Sequence, residues 1–265
     1  MEARILIGGL LGLTSTEVFV AADRMLAEEE TQKIAAAVDR RLKREPVHRI
    51  LGEREFHGMM LKLSKETLEP RPDTEALVDA ALARMGQLVA AKGSVRVLDL
   101  GTGTGAILLA LLKECPVAQG VALDISEDAL QTASQNAQRL GLSERVTTLR
   151  SDWFEKVEGR FDIIVSNPPY IATSVVSELE PEVKDFDPAR ALDGGSDGLD
   201  AYRAIAAGAG AFLVRDGFVG VEIGFDQKDS VTKIFADAGF TLDKAERDYG
   251  GKDRVLLFSL REPGV

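Results

Sequence analysis

The sequence predicts an α/β protein, a doubly wound sheet of seven strands preceded by a small helical domain and a hairpin. Three observations predict it. From Val95 onward apolar strand-like runs alternate with helical stretches, the signature of a parallel sheet covered on both faces. The first of those runs passes straight into a glycine-rich turn. The last two are joined by too few residues for a crossover helix, so they pair antiparallel.

Taken in order, helices are expected over 3–11, 17–26 and 29–44, the last with Ile34, Val38 and Leu42 on one stripe. Thr14-Ser15-Thr16-Glu17 has capping-box spacing. The apolar run 5–13 is far too short to cross a bilayer, and Glu2 offsets Arg4 ahead of it, so it reads as a packed helix rather than a signal peptide. Arg40, Arg41, Lys43 and Arg44 read as a solvated helix end whose cations suit the dipole, in preference to a site for RNA or an acidic partner. Segments 54–57 and 60–63 flank Gly58 as a hairpin, and Pro70-Arg71-Pro72-Asp73 leads into a helix capped by Asp73 and running to Met85. Strands follow at 95–100, 121–125, 146–150, 161–166 and 218–223, with helices at 106–112, 127–140, 201–213 and 227–238, and the closing strands at 241–247 and 255–259. This divides the chain into a helical bundle with hairpin (1–68), a linker helix (69–90) and the doubly wound domain (91–265).

Composition narrows the function. The chain has 265 residues, 45% hydrophobic and 28% charged, enough for a substantial core in up to two domains. A net charge of -11 removes a chain-wide basic face, so stable nucleic-acid binding is not expected. Cys115 has no partner for an internal disulfide, and His48 and His57 lack metal-ligand spacing with it; both histidines read as structural and no metal is expected. Gly194-Gly195-Ser196-Asp197-Gly198 matches a nucleophile elbow formally, but both histidines lie upstream of the serine, so a turn is the better reading.

The chemistry concentrates where strands end. Asp99-Leu100-Gly101-Thr102-Gly103-Thr104-Gly105 joins the first strand to a helix, where glycines admit close approach of a ligand and the helix start offers free N–H groups. Asp124 ends the second strand, where a carboxylate can accept from both hydroxyls of a ribose. The ligand stays open between a dinucleotide and S-adenosylmethionine. The spacing G-x-G-x-G and the adjacent Asp99 disfavour a pyrophosphate and are compatible with an ammonium and a sulfonium, and the terminal hairpin points the same way. After the third strand, Ser151-Asp152-Trp153-Phe154 offers the Trp153 ring as a face for an adenine and Asp152 as an acceptor for its amino group; the alternative is that Trp153 plugs the sheet edge.

Ser166-Asn167-Pro168-Pro169-Tyr170 closes the fourth strand. Two prolines remove two backbone donors and bias Asn167 toward an extended conformation, giving a rigid rim. The Asn167 side-chain oxygen and the Pro168 carbonyl can both accept from one planar –NH₂ group, with Tyr170 on its flat face. Such nitrogens are poor nucleophiles because their lone pair is delocalised. Two acceptors would favour pyramidalisation and aim the lone pair at an electrophilic methyl, so transfer needs orientation rather than a strong base.

These segments, with Pro70 to Glu75, Glu45-Pro46-Val47 through Gly52, Glu55-Phe56, Ala191 to Gly195 and Asp248-Tyr249-Gly250, resemble the peptide chain release factor N5-glutamine methyltransferases over nearly the whole chain. The resemblance implies S-adenosylmethionine as methyl donor, no metal, a cytoplasmic setting, no membrane, and as partner and substrate the glutamine of the Gly-Gly-Gln loop of class 1 release factors. It implies that Gly101, Thr102, Gly103, Thr104, Gly105 and Asp124 hold the cofactor, with Trp153 by its adenine. Asn167 would touch cofactor and substrate, Pro168, Pro169 and Tyr170 would complete the glutamine pocket, and Asn167, Pro168 and Tyr170 would carry catalysis, with Arg71 in the same cleft. The resemblance implies a further helical stretch ahead of the segment matching Glu2 to Leu13, within which this sequence begins, so that either its start is misassigned or the bundle is trimmed. N-P-P-Y is shared with DNA and RNA amino-methyltransferases, which are the alternative class; a ribosomal-protein glutamine and a cofactor-binding scaffold without catalysis are further alternatives. The acidic stretch from Glu178 to Asp187 is expected to face a basic partner loop.

Overall fold

The computed structural model describes residues 2–21 and 23–261. Four helices open the chain: α1 (Glu2–Leu11), α2 (Ser15–Val20), α3 (Glu28–Leu42) and α4 (Val47–Leu51). The capping box forms as expected, with the Thr14 hydroxyl accepting the Glu17 N–H and the Glu17 carboxylate accepting the Thr14 N–H. The helix expected over 17–26 ends at Val20, and residue 22 lies outside the described residues. Glu30 explains the early exit: its carboxylate takes the Ala27 N–H at 3.0 Å and the Arg24 guanidinium at 2.6 Å, holding that stretch as the entry to α3. Helix α4 was not anticipated. It is too short to show a period, yet Pro46 starts it, left-handed Gly52 stops it, and Val47 and Ile50 bury against Leu6 and Ala37.

Strands β1 (Glu53–Phe56) and β2 (Met59–Lys62) form the hairpin, one residue earlier than expected, because His57 and Gly58 both adopt positive φ in a two-residue turn. Phe56, Met59 and Leu61 face the main core. Asp73 does not cap the next helix; it lies in a 3-10 turn, Pro72–Thr74, and its carboxylate points toward Arg254 at 3.5 Å. Helix α5 (Glu75–Lys92) outruns the expected end at Met85, since Leu88 continues its buried face and Gly93 supplies the left-handed stop.

The sheet contains β3 (Val95–Leu100), β4 (Ala118–Asp124), β5 (Val146–Arg150), β6 (Phe161–Ser166), β7 (Leu213–Glu222), β8 (Phe240–Arg247) and β9 (Asp253–Leu260). Its order is β5-β4-β3-β6-β7-β9-β8; the first five strands run parallel, β9 pairs antiparallel with β8 as the short final connection implied, and it inserts between β8 and β7, antiparallel to both. Helices α6 (Ala106–Glu114) and α7 (Glu127–Arg139) connect the first strands, and α11 (Asp200–Phe212) and α12 (Lys228–Asp237) the later ones. Between β6 and α11 the chain makes three single turns, α8 (Thr173–Val176), α9 (Pro181–Lys184) and α10 (Ala189–Leu192).

Side chains alternate across the sheet. Val95 and Val97 join α5, α6 and the hairpin on one face; Leu98 and Leu100 join α11 and α12 on the other. Strand β3 is central, with β4 on one side and β6 on the other, so successive connections leave in opposite directions and open a crevice at its carboxyl end. Leu100 pairs with Ser166 there, which brings the residues after β3 beside those after β6.

Candidate active site

The crevice is a single cleft lined by Gly101, Thr102, Gly103, Thr104, Asp124, Trp153, Asn167 and Pro169, together with Pro70, Arg71, Thr74 and Arg190. Most of the residues singled out in the sequence therefore converge. Gly105, Pro168 and Tyr170 do not line it: Gly105 heads α6, Pro168 is buried, and Tyr170 packs against the second core layer.

The glycine loop presents open backbone to the cleft. Gly103 adopts φ +55 with nothing within 4 Å of where a Cβ would stand, so the backbone is exposed to whatever occupies the cleft. Beneath it Asp99 is 1% exposed, and its Oδ2 accepts the Thr102 hydroxyl at 2.7 Å. Burial pushes the Asp99 carboxyl up to about 7; the Thr102 hydrogen bond and the nearby Leu108 amide only partly oppose this, and Asp124 adds to it. Asp99 Oδ1 has no hydrogen-bond partner of good geometry among the described residues. Asp124 is fixed by two backbone amides, Gly103 N–H on Oδ2 at 3.0 Å and Ser126 N–H on Oδ1 at 2.9 Å, which leaves lone pairs for hydroxyl donors. Burial raises its carboxyl as well, against these amides and the charge of Arg190. Trp153, at φ +43, lines the cleft and also touches the second core layer.

Opposite the loop, Asn167 bonds to residues far away in the chain. Its Nδ2 donates to Thr74 Oγ1 at 3.1 Å, and the Thr74 hydroxyl donates to Glu222 Oε2 at 2.6 Å. Among the described residues nothing donates to Asn167 Oδ1 or to the Pro168 carbonyl. Glu222 is 1% exposed, and burial holds its carboxyl up at about 7 despite Thr74 and Arg254. The Tyr170 hydroxyl lies 3.5 Å from Glu222 Oε1, and burial followed by the Glu222 charge pushes it up to about 12. The ledge is braced from behind. A Cβ on Gly194 would sit 2.7 Å from the Pro169 carbonyl oxygen, and Gly194 N–H bonds the Ile171 carbonyl at 2.8 Å, so segment 194–198 is a bracing turn and not a nucleophile elbow.

Arg71 reaches the cleft from a buried ion cluster. Asp187, 2% exposed at its side chain, takes Arg49 on Oδ1 at 2.6 Å and Arg71 on Oδ2 at 2.8 Å. Within the acidic stretch Glu182 pairs with Arg41 and Arg44, and Glu180 with Arg44, at 2.6–3.3 Å, while Glu178 and Asp185 stay exposed. The basic end of α3 is thus the chain's own counterpart to this loop, which sequence distance concealed. Neither histidine lines the cleft; His48 contacts Glu69 and His57 contacts Asp79. Among the described residues no three or more His, Cys, Asp or Glu side chains group to hold a metal ion. No described helix is long and apolar enough to cross a membrane.

Two family models match the chain, "Methyltransferase small domain" over residues 75–180 and "PrmC N-terminal domain" over residues 1–52. A release factor glutamine methyltransferase of Agrobacterium fabrum is 60% identical over 258 residues, covering 97% of this chain and 89% of that protein. This chain belongs to the release factor glutamine methyltransferase family. A second member, from Rhodospirillum rubrum, is 46% identical over 99% of this chain and 79% of its own length. Among solved structures, a methyltransferase from Pyrococcus furiosus superposes with a TM-score of 0.55 at 18% identity, covering 76% of this chain and 89% of that one; this likeness concerns the fold alone. Membership makes the chain a methyltransferase, with the seven-stranded sheet of that class.

Proposed function

We propose that this chain transfers a methyl group from S-adenosylmethionine to the side-chain amide nitrogen of the glutamine in the Gly-Gly-Gln loop of class 1 release factors. The observation that carries the reading is Asn167, whose amide is turned so that Oδ1 has no intramolecular donor, at the rim of a cleft shared with the glycine loop. Family membership over nearly the full chain supports the substrate.

The lining fits the donor. Gly101 to Thr104 would present backbone to its methionine part, Asp124 would accept from its ribose hydroxyls, and Trp153 would cover its adenine. When bound, S-adenosylmethionine supplies a methyl carbon made electrophilic by a sulfonium. Asn167 Oδ1 would accept an N–H of the target amide and orient its lone pair, with Pro169 shaping the pocket and buried Pro168 stiffening the ledge between them. Tyr170 supports the ledge and the Glu222 side chain beneath it. We assign residues 1–68 to recognition of the release factor, 69–90 to the connection and 91–265 to methyl transfer, in the cytoplasm where translation termination takes place.

The test is incubation with labelled donor and three acceptors: a release factor, the same factor with its loop glutamine replaced by alanine, and duplex DNA. Label in the first alone, mapped by peptide mass to that glutamine, is the expected result. Label in DNA and not in protein would assign the site to nucleic-acid amines instead.

A further inference from the structure

An asparagine amide has two orientations differing by exchange of oxygen and nitrogen, and only one presents an acceptor to the cleft. In the other, Nδ2 would face the –NH₂ group of the substrate, donor against donor. Something must choose between them, and the Pro168-Pro169 backbone cannot, because it offers no N–H. Thr74 Oγ1 lies 3.1 Å from Asn167 Nδ2 and 2.6 Å from Glu222 Oε2. A hydroxyl has one proton; if the carboxylate takes it, the oxygen facing Asn167 is left with lone pairs only and accepts nothing but the amide N–H.

We propose that Thr74 and Glu222 are positioning residues for methyl transfer, a buried carboxylate–hydroxyl relay that locks the Asn167 amide with its oxygen toward the substrate nitrogen. The inference rests on the reading above of Asn167 as the acceptor for the target amide. Neither side chain needs to touch the reacting atoms: Glu222 is buried at the end of β7, and Thr74 stands between it and the cleft in the 3-10 turn before α5. The groups facing Glu222 are Arg254 from β9, Asp73 from the same 3-10 turn as Thr74, and Tyr170 after β6, while Tyr202 of α11 donates to the Glu222 backbone carbonyl. Arg254 favours the ionised carboxylate and Asp73 opposes it, with burial the largest influence, so the group titrates at about 7. Below that pH the carboxyl carries its own proton, the Thr74 hydroxyl is free to turn round, and the lock is lost.

Three full-length variants test this, each assayed with release factor at saturating cofactor beside the parent enzyme. Parent activity on release factor tests the underlying reading; the variants test the relay. Thr74→Val removes the hydroxyl at nearly constant volume and is expected to lower kcat by about 10- to 100-fold with KM for the release factor little changed, while Thr74→Ser restores most of the loss. Glu222→Gln, which cannot titrate, is expected to lower kcat and to remove the acid limb of the kcat profile near pH 7. The Asn167 side-chain amide signal in ¹⁵N-resolved NMR should shift with pH through the same range in the parent and stay put in Glu222→Gln. A Thr74→Val enzyme with parental kcat would overturn the proposal, as would an Asn167 amide signal that titrates unchanged in Glu222→Gln.

Discussion

Asn136 Nδ2 donates to the Thr104 carbonyl at 2.9 Å from a position on α7 that is completely buried. The same amide group donates to the Lys62 carbonyl at 3.1 Å, and its Oδ1 accepts the Lys62 N–H at 2.8 Å. One side chain therefore pairs with the outer strand of the hairpin as another strand would, while holding the glycine loop from below. The hairpin and the cofactor side of the cleft are mechanically joined through it.

Replacing Asn136 with alanine strands the buried Thr104 carbonyl and both backbone groups of Lys62. Asn136→Ala is expected to destabilise the fold by about 2–4 kcal/mol, read as a shift in urea midpoint, and to weaken cofactor affinity in calorimetry because Thr104 loses its anchor. Unchanged affinity in the folded variant would show that the loop holds its shape unaided.

Asp187 joins hairpin-side Arg49 to cleft-side Arg71, and Arg49 also donates to the Ser64 and Thr67 carbonyls at 2.6 Å. Removing the shared carboxylate leaves a buried guanidinium unpaired. Asp187→Asn should cost about 3 kcal/mol in denaturant unfolding and expose the segment 171–199 to faster limited proteolysis. Parental proteolysis rates would argue that the cluster does not hold that segment.

Acid stability should follow Glu69. Burial acts to raise its carboxyl, but hydrogen bonds from His48 and Arg54 outweigh burial and hold it at about 2, below the ordinary 4.5. A depressed carboxylate adds stability that is fully present above pH 4.5 and disappears as pH falls through about 2. Glu69→Gln should therefore unfold more easily at pH 7, by roughly 2 kcal/mol, with the gap to the parent closing toward pH 2. A gap of constant size across that range would mean the ion pair is not its source.

Asp99 has the opposite sign. Burial raises its folded value to about 7 from 3.8, so ionising it penalises folding increasingly between these values and fully above pH 7. Asp99→Asn is expected to raise stability at pH 8, on the order of 2 kcal/mol, to differ little near pH 4, and to bind cofactor more weakly because Thr102 loses a charged acceptor. Thermal unfolding at the two pH values, with calorimetry of cofactor binding, checks both halves.

What could be read from the sequence was whatever depends on near neighbours in the chain. β3 followed by Gly101, β6 followed by Asn167, and the antiparallel final pair are each written in runs of under twenty residues, and parallel-sheet rules then bring Gly101 and Asn167 together. Helix α4 escaped because five residues carry no period. Thr74, Asn136 and Glu222 escaped for another reason: their partners lie 93, 74 and 148 residues away, and a threonine, an asparagine and a glutamate look in isolation like surface polar residues. For Glu222 there was one signal, a carboxylate set in the apolar run 218–223, where ionised side chains are rarely buried without a task. The arginines at the end of α3 and the carboxylates of 180–182 were each visible, but their pairing was not, since charge complementarity within a chain requires the fold that brings them together.

Labelled methyl transfer to release factor by Asn167→Ala is the most direct check on the role of the asparagine ledge. The expected result is near-complete loss of transfer with cofactor binding, measured by calorimetry on the same preparation, only modestly weakened. A variant that still methylates the loop glutamine at a rate close to the parent would contradict the account.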